Sequence, residues 1–230
     1  SEVTQIEREA MRELALQMGI NDVFIEEEIK AGAIGAGMDI YTANAAMVID
    51  IGGGTTDVGV LSLGDVVLSQ TLRIAGNYID QEIIKYVHKT HNLVIGQKTA
   101  ERAKMEIAIL SEDEEEKFAR VSGRDLVTGL PAATKISSKE MRKLLLPIFD
   151  EVINIVYSVL EQTPPELSAD LVDNGIVVNG GGALIPGVKE YVEEMVNLPV
   201  KISDSPLTDV VEGTKVLLKN RGNYLINPQD

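Results

Sequence analysis

The sequence predicts an α/β protein in which a three-stranded antiparallel unit is followed by alternating helices and strands. A short apolar run, Ala46 to Ile51, ends in three glycines and two threonines, and a second apolar run, Val58 to Leu63, follows at once. This pattern is typical of two buried strands joined by a glycine turn. A third apolar run, Gly175 to Asn179, leads into Gly180–Gly182. With residues 95–136 set aside as an insertion, the predicted order from Ala46 is βββαβαβα.

Length, composition and charge narrow the classes of protein that fit. The 230 residues suffice for one two-lobed unit or two small domains, and a hydrophobic content of 44% supports a packed core. The 36 acidic and 21 basic residues give a net charge of −15, which opposes non-specific binding to nucleic acid and attraction to anionic lipid. No cysteine is present, so disulfides and thiolate metal sites are excluded. No apolar run reaches membrane-spanning length, and Ser1 does not begin a signal peptide.

The first 45 residues are predicted to form helix, strand and helix. Thr4 and Glu7 form a capping-box pattern that opens a helix ending at Gly19. Asp22 to Glu26 is predicted as a short strand. Ile29 to Gly37 is predicted as a helix of small residues that can pack close to a neighbouring backbone. This αβα order matches the end of the βββαβαβα unit, so we expect two copies of one unit, the first without its opening βββα.

The remaining elements follow from apolar periodicity, turn residues and caps. Ser137 and Glu140 form a second capping box, opening a helix to Gln162 in which Pro147 predicts a kink or a late start. Phe118 to Ile136 is predicted as small strands and turns, after an acidic loop at 111–117. The other predicted strands are Val66 to Ile74 and Val200 to Ser203, and the other predicted helices are Tyr78 to His91, Lys98 to Leu110, Glu166 to Leu171, Pro186 to Val196 and Leu207 to Lys219.

The first glycine turn has the chemistry of an anion-binding site. Glycines let the backbone approach a bulky anion, and successive N–H groups in such a turn converge on it. Asp50, at the end of the first strand, can hold a divalent cation directly or through water. The hydroxyls of Thr55 and Thr56 can contact phosphate oxygens or position a water. The turn is not a P-loop, because the Gly-Lys-Ser/Thr ending is missing and a strand follows. A tight turn without a ligand is the alternative.

Five segments stand in one order along nearly the whole chain: Ala33–Gly37, Met47–Thr56, Ile95–Arg102, Gly175–Ala183 and Pro206–Gly213. Together with the two glycine turns, they resemble the actin-like ATPase superfamily, and within it the MreB family of bacterial actins. The resemblance implies an actin-like fold with ribonuclease H-like βββαβαβα lobes. Lobe II would be complete and carry a small insertion subdomain, and lobe I would be partial.

The resemblance also implies which residues bind nucleotide. Gly52, Gly53, Gly54, Thr55 and Thr56 would hold the β- and γ-phosphates of ATP, with Asp50 near Mg²⁺. Gly180, Gly181, Gly182 and Ala183 would receive adenine and ribose. Without the family context, this second glycine run could be an ordinary strand-to-helix turn.

Three further residues gain a role only from the resemblance. Glu101 and Lys104 correspond to residues that contact ribose and adenine, although an exposed i,i+3 ion pair is the alternative. Glu28 corresponds to the residue that orients the attacking water, so Glu28 and Thr55 are the catalytic candidates. An acidic edge at 26–28 is the alternative for Glu28.

The sequence departs from the family pattern in two segments, one directly after Glu28 and one before the helix predicted at Tyr78. Ile29-Lys30 stands where the family usually has Pro-Met, so the local geometry and the hydrolysis rate would differ from those of the family. Ala75-Gly76-Asn77 replaces the common Gly-Gly-Asp, with Asp80 retained, so that turn would approach the phosphates less closely or carry less charge.

The resemblance implies three subdomains. Residues 1–45 and 215–230 would complete subdomain IA, residues 46–82 and 147–214 would form subdomain IIA, and residues 83–146 would form subdomain IIB. The first phosphate loop would precede Ser1. From these residues alone we therefore expect weak nucleotide binding and no useful turnover, whereas the intact protein would be a slow ATPase.

The expected function is that of an ATP-binding, filament-forming cytoskeletal protein concerned with cell shape. It would be cytoplasmic, form homopolymers, bind no nucleic acid and touch the membrane through elements missing from this chain. The alternatives are a monomeric phosphotransferase, such as a sugar kinase, and a chaperone-type ATPase of the same fold. Residues 95–136 offer no obvious sugar pocket, and nothing after Gly213 resembles a peptide-binding domain.

Overall fold

A five-stranded mixed sheet forms the centre of the structure, a computed structural model that describes residues 4–112 and 115–219. The strands lie in the order β3-β2-β1-β7-β8. Neighbours β1, β2 and β3 are antiparallel, whereas β7 joins β1, and β8 joins β7, in parallel. Their bounds are β1 Ala46–Ile51, β2 Thr56–Ser62, β3 Asp65–Leu72, β7 Ile176–Asn179 and β8 Val200–Ile202.

The hairpin of β1 and β2 is buried at every position, as the apolar runs within it predict. Helices cover both faces of the sheet. One face packs on Ile29 and Ala33 of a small cluster that includes Val48, and the other contributes Met47 and Ile49 to the main core. The predicted βββαβαβα order is confirmed once the insertion is set aside, except that three helices rather than one lie between β3 and β7.

Eight α-helices are formed by the described residues, and their bounds follow: α1 Gln5–Gln17, α2 Glu28–Gly35, α3 Gly76–His91, α4 Gln97–Ile107, α5 Ser138–Gln162, α6 Pro165–Asn174, α7 Val188–Val196 and α8 Asp209–Lys219. A 3₁₀ turn, Gly181–Leu184, precedes α7. In the described part of the chain, no helix combines the length and apolar composition needed to cross a membrane.

The insertion forms a second, three-stranded antiparallel sheet in the order β4-β5-β6. Its strands are β4 Leu93–Val94, β5 Phe118–Asp125 and β6 Pro131–Ser137, and α4 lies between β4 and β5 in the chain. The predicted small strands are thus confirmed, while β4 was not predicted. Residues 113 and 114 of the acidic loop, and 220–230 after the last helix, lie outside the described residues.

Both predicted capping boxes are present. The backbone N–H of Glu7 donates to the Thr4 hydroxyl, and that of Glu140 donates to the Ser137 hydroxyl, while each glutamate accepts from the backbone of its cap. Helix α5 is a single helix that begins at Ser138 and contains Pro147. The proline therefore does not delay the start of the helix.

The strand predicted at Asp22 to Glu26 is wrong, because these residues belong to no strand or helix of the described chain. An extended apolar segment becomes a strand only when a neighbour accepts its hydrogen bonds, and its own sequence does not reveal that neighbour. The preceding helix, α1, buries none of its residues.

Helices α2 and α8 cross at very short range, as predicted for a helix of small residues. A Cβ atom on Gly35 would lie 1.7 Å from the carbonyl oxygen of Asp209, and one on Gly213 would lie 1.8 Å from that of Ala31. Only glycine allows this approach. The crossing places the beginning of α8 beside the end of β1, where the site lies.

Candidate functional site

The two glycine turns meet at one edge of the central sheet. Strands β1 and β7 are parallel neighbours with Asp50 opposite Asn179, so both strands end at the same edge. A Cβ atom on Gly180 would lie 2.4 Å from the Ile51 carbonyl oxygen, and one on Gly182 would lie 2.2 Å from Ile51 Cγ2. The second turn therefore lies directly against the end of β1, where the first turn begins. The region beyond the carboxyl ends of parallel strands is a common place for ligands to bind in α/β sheets.

The first turn is held closed at its base and is open at its tip. The Gly52 N–H donates to the Thr55 carbonyl oxygen at 2.9 Å. Gly53 and Gly54 are exposed, and a Cβ atom on Gly54 would have no atom within 4 Å. The tip thus leaves space in which a ligand can approach the backbone.

The two threonines of the first turn have different surroundings. The half-exposed Thr55 donates its hydroxyl to Asp57 Oδ2 at 3.0 Å. Thr56 is fully buried, and its hydroxyl donates to the Ile74 carbonyl oxygen at 2.7 Å. Thr55 is therefore at the surface of the turn, whereas Thr56 connects the turn to Ile74 in the segment that follows β3.

The beginning of helix α3 supports the first turn from behind. The N–H of Gly76 donates to the Gly52 carbonyl oxygen at 3.1 Å, and that of Asn77 donates to the Gly53 carbonyl oxygen at 2.8 Å. From α4, the Lys104 ammonium lies 2.8 Å from Asp80 Oδ1 and donates to the Gly76 carbonyl oxygen at 2.9 Å.

Three buried polar side chains lie beside the meeting point of the turns. Asp50, Asn179 and Asp209 are 6%, 0% and 2% exposed. Asp50 Oδ2, Asp209 Oδ2 and both amide atoms of Asn179 have no hydrogen-bond partner among the described residues. A Cβ atom on Gly32 of α2 would lie 2.5 Å from Asn179 Nδ2 and 3.4 Å from Asp50 Oδ2, so the α2 backbone closes over this cluster.

The charge state of Asp50 depends on this environment. Burial is the main cause that raises the pKa of its carboxyl from 3.8 to about 7. The negative charges of Glu28, Asp57 and Asp209 raise it further. Glu28, exposed at the first position of α2, is therefore close enough to act electrostatically on Asp50.

The oxygens of this cluster fit a hard cation. Unpartnered carboxylate and amide oxygens are the ligands that Mg²⁺ prefers, and a positive charge would offset the cost of burying the Asp50 carboxylate. In residues 4–112 and 115–219, no group of three or more His, Cys, Asp or Glu side chains is arranged to hold a metal ion. The residues thus fit a Mg²⁺ ion that keeps waters and takes other ligands from phosphate, rather than an all-protein cage.

Asn179 and Asp209 were not predicted as site residues. Asn179 is a polar residue that ends a buried apolar strand immediately before glycines, as Asp50 does, and this similarity could have revealed it. Asp209 has no comparable signal, because an acidic residue at the start of a helix usually only complements the helix dipole.

The family model described as MreB/Mbl protein matches residues 1–225. This chain belongs to the MreB/Mbl family. It is 41% identical over 218 residues to the cell shape-determining protein Mbl of Bacillus subtilis, covering 95% of this chain and 66% of that protein. It is also 41% identical over 210 residues to the cell shape-determining protein MreB of Escherichia coli K12, covering 91% of this chain and 60% of that protein. The chain thus spans 66% and 60% of the length of these two MreB/Mbl relatives, which is less than two thirds of either.

Solved structures show that this MreB/Mbl chain has the actin-like fold. MreB5 of Spiroplasma citri bound to AMPPNP superimposes with a TM-score of 0.94 at 45% identity, covering 99% of this chain and 68% of that chain. The same protein bound to ADP gives 0.93 at 44% identity, covering 97% and 69%. The MamK double helical filament gives 0.78 at 23% identity, covering 95% and 66%, and it supports the fold alone.

Proposed function

We propose that this chain forms the nucleotide-binding part of an actin-like cytoskeletal protein that binds ATP with Mg²⁺. The observation that carries the proposal is the meeting of the two glycine turns at the end of β1, beside the buried Asp50. Support comes from MreB5 of Spiroplasma citri, whose structures have AMPPNP or ADP bound.

The first turn would hold the phosphates and the second turn the adenosine. The exposed backbone at Gly53 and Gly54 can approach the β- and γ-phosphates, and the Thr55 hydroxyl lies at the same surface. The tightly packed turn from Gly180 to Ala183 would present backbone to adenine and ribose. Thr56 would act by holding the first turn in place rather than by touching phosphate, since its hydroxyl is buried and bonded to Ile74.

Asp50 would hold Mg²⁺ or one of its waters, with Asn179 and Asp209 facing the same space. The ion, when bound, would neutralise charge on the phosphates. Glu28 would accept a hydrogen bond from the attacking water and hold it for in-line attack, and the Thr55 hydroxyl would donate to the same region. Glu101, exposed on α4, would contact the adenosine of the nucleotide. The resemblance to the family implies the same role for Lys104.

The same proposal extends to assembly and domain organisation. Residues 46–82 and 147–214 would form subdomain IIA, 83–146 subdomain IIB, and 1–45 with 215–230 the rest of subdomain IA. ATP would favour homopolymer filaments in the cytoplasm, and slow hydrolysis would weaken them by removing γ-phosphate contacts. Membrane contact stays a prediction.

Gly54→Val tests the phosphate site without disturbing the fold. The valine side chain would enter open space at the tip of the first turn and occupy the position expected for phosphate. We expect AMPPNP–Mg²⁺ affinity to fall about 100-fold, equivalent to about two lost charge-assisted hydrogen bonds. The melting temperature without nucleotide should be unchanged. Fluorescence titration with a labelled ATP analogue, and displacement by AMPPNP, would measure the affinity.

Gly96→Val is the matched control, because a Cβ atom on Gly96 also meets nothing within 4 Å but lies away from both turns. Its affinity for AMPPNP should equal that of the wild-type chain. The nucleotide proposal fails if Gly54→Val binds as tightly as Gly96→Val. The assembly proposal fails separately if sedimentation of the protein with ATP and Mg²⁺ shows monomer at every concentration.

A further inference from the structure

The Lys104 ammonium joins helix α4 of the insertion to the start of helix α3. It lies 2.8 Å from Asp80 Oδ1 and donates to the Gly76 carbonyl oxygen at 2.9 Å. Lys104 belongs to α4 in the insertion, whereas Gly76 and Asp80 both lie in the first turns of α3. Glu101, one turn earlier on α4, is exposed and can reach a ligand while Lys104 stays paired.

A continuous series of hydrogen bonds runs from Lys104 to the phosphate turn. The residues at the start of α3 that Lys104 holds are themselves bonded to the first glycine turn. The Gly76 N–H donates to the Gly52 carbonyl oxygen, and the next N–H, of Asn77, donates to the Gly53 carbonyl oxygen. A displacement of Lys104 would therefore move the start of α3, and with it the backbone of Gly52 and Gly53.

The burial of the Asp80–Lys104 ion pair indicates that the pair fixes the position of the start of α3 rather than stabilising the fold. The side chains of Asp80 and Lys104 are 2% and 16% exposed. Removing two charges from water costs about as much free energy as their attraction returns, so an apolar pair of similar size would serve stability as well. What the charged pair adds is a fixed geometry, because the ammonium must face both the Asp80 carboxylate and the Gly76 carbonyl.

We propose that Lys104 is a positioning residue that holds the phosphate turn through Asp80 and the start of α3, and so couples the insertion to the phosphates of the nucleotide. This rests on the proposed nucleotide site. It differs from the expectation that Lys104 touches adenine or ribose directly. Docking of the base against α4 then sets the position of Gly52 and Gly53. Binding of the triphosphate therefore depends on Lys104, whereas binding of the adenosine does not.

The experiment compares Lys104→Met, Asp80→Asn and the double variant with Lys98→Met, which alters an exposed lysine on the same helix. The first readout is hydrogen–deuterium exchange of residues 52–57 in the protein without nucleotide. The second is the affinity for AMPPNP and for adenosine. The double variant leaves no unpaired buried charge, so it remains usable if either single variant unfolds.

We expect faster exchange at 52–57 in Lys104→Met, Asp80→Asn and the double variant, with little change at 180–185. AMPPNP should bind about ten-fold more weakly and adenosine within about two-fold of wild type, because the loss falls on hydrogen bonds from the phosphate turn. The double variant should be no weaker than Lys104→Met, since both changes break one connection. Lys98→Met should match wild type in both readouts.

Unchanged exchange at 52–57 in Lys104→Met and the double variant would overturn the proposal. So would a Lys104→Met protein that loses adenosine as strongly as AMPPNP while Asp80→Asn binds both normally, which is the pattern of a direct base contact. If the wild-type chain binds neither ligand, the proposed nucleotide site fails, and the exchange measurement still decides whether Lys104 holds the turn.

Discussion

The two glycine turns share a sequence pattern but differ in how their glycines are used. At Gly180 and Gly182, a Cβ atom would collide with Ile51 at 2.4 and 2.2 Å, so these glycines are required for packing. At Gly54, a Cβ atom would meet nothing, so packing alone does not require glycine there. The second turn is thus a structural contact that also borders the site, whereas the glycine at the tip of the first turn leaves room for a ligand that approaches from outside.

Gly180→Ala would break the second turn and should have the largest effect. Gly180 has a φ of +78°, and its Cβ atom would lie 2.4 Å from the Ile51 carbonyl oxygen. We expect the free energy of unfolding to fall by about 3 kcal/mol, the sum of a left-handed backbone penalty and steric strain. Urea unfolding followed by circular dichroism measures it.

Gly181→Ala is the control for the same turn, because its Cβ atom would lie 3.3 Å from Leu207 Cδ2, the end of a flexible side chain. Its stability should stay within about 0.5 kcal/mol of wild type. Equal losses in the two variants would show that the turn is not packed as described.

Asp50→Asn tests the point at which the turns meet. The pKa of Asp50 is raised to about 7, so the folded protein keeps a proton that the unfolded chain releases above about pH 4. Stability should therefore fall as the pH rises from about 4 to 7. Asparagine removes this loss, so without Mg²⁺ or nucleotide the variant should be about 2 kcal/mol more stable than wild type at pH 8, with no gain near pH 4.

Urea unfolding at both pH values measures this difference, and addition of Mg²⁺ with AMPPNP should stabilise wild type but not Asp50→Asn. Asp125→Asn is the control of opposite sign, because backbone and hydroxyl hydrogen bonds from Thr128 hold the pKa of Asp125 below its ordinary value. That variant should gain nothing at pH 8. The described burial of Asp50 would be contradicted if the stability of wild type rose between pH 5 and 8 and Asp50→Asn were no more stable than wild type at pH 8.

Thr56→Val tests whether the buried Thr56 hydroxyl holds the first turn in place, and among Gly180→Ala, Asp50→Asn and Thr56→Val it should change the free energy of unfolding least. The change keeps the shape of the side chain but leaves the Ile74 carbonyl without its bond from the Thr56 hydroxyl. We expect a loss of about 1 to 2 kcal/mol in the free energy of unfolding. Thr55→Val, at the surface of the same turn, should barely alter stability but should weaken AMPPNP binding. If Thr55→Val lost stability and Thr56→Val lost only AMPPNP binding, Thr55 rather than Thr56 would hold the turn in place.

Local sequence predicted the parts of the fold that depend on local physics. The run from Ala46 to Ile51, apolar except for Asp50, matches β1 residue for residue, because a strand buried on both faces is mostly apolar. The capping boxes at Thr4 and Ser137 were confirmed because each closes within four residues. The segment from Asp22 to Glu26 was mispredicted because pairing between strands is a non-local property.

The candidate site shows the same division. The two turns and Asp50 carry local signals of glycine and a strand end, so they were predicted. Asp209 lies in the site only because α8 crosses α2 at Gly35 and Gly213. The residues around Asp209 do not predict that crossing. The pairing of Lys104 with Asp80 likewise joins two helices that the sequence places apart.

In the proposed function, the two turns hold opposite ends of one nucleotide. Hydrogen–deuterium exchange of the protein with and without AMPPNP–Mg²⁺ tests it most directly. We expect slower exchange in the bound state at both 52–57 and 180–185, and Gly54→Val should lose the protection at both. Protection confined to one turn, or protection of both that survives Gly54→Val, would contradict the claim.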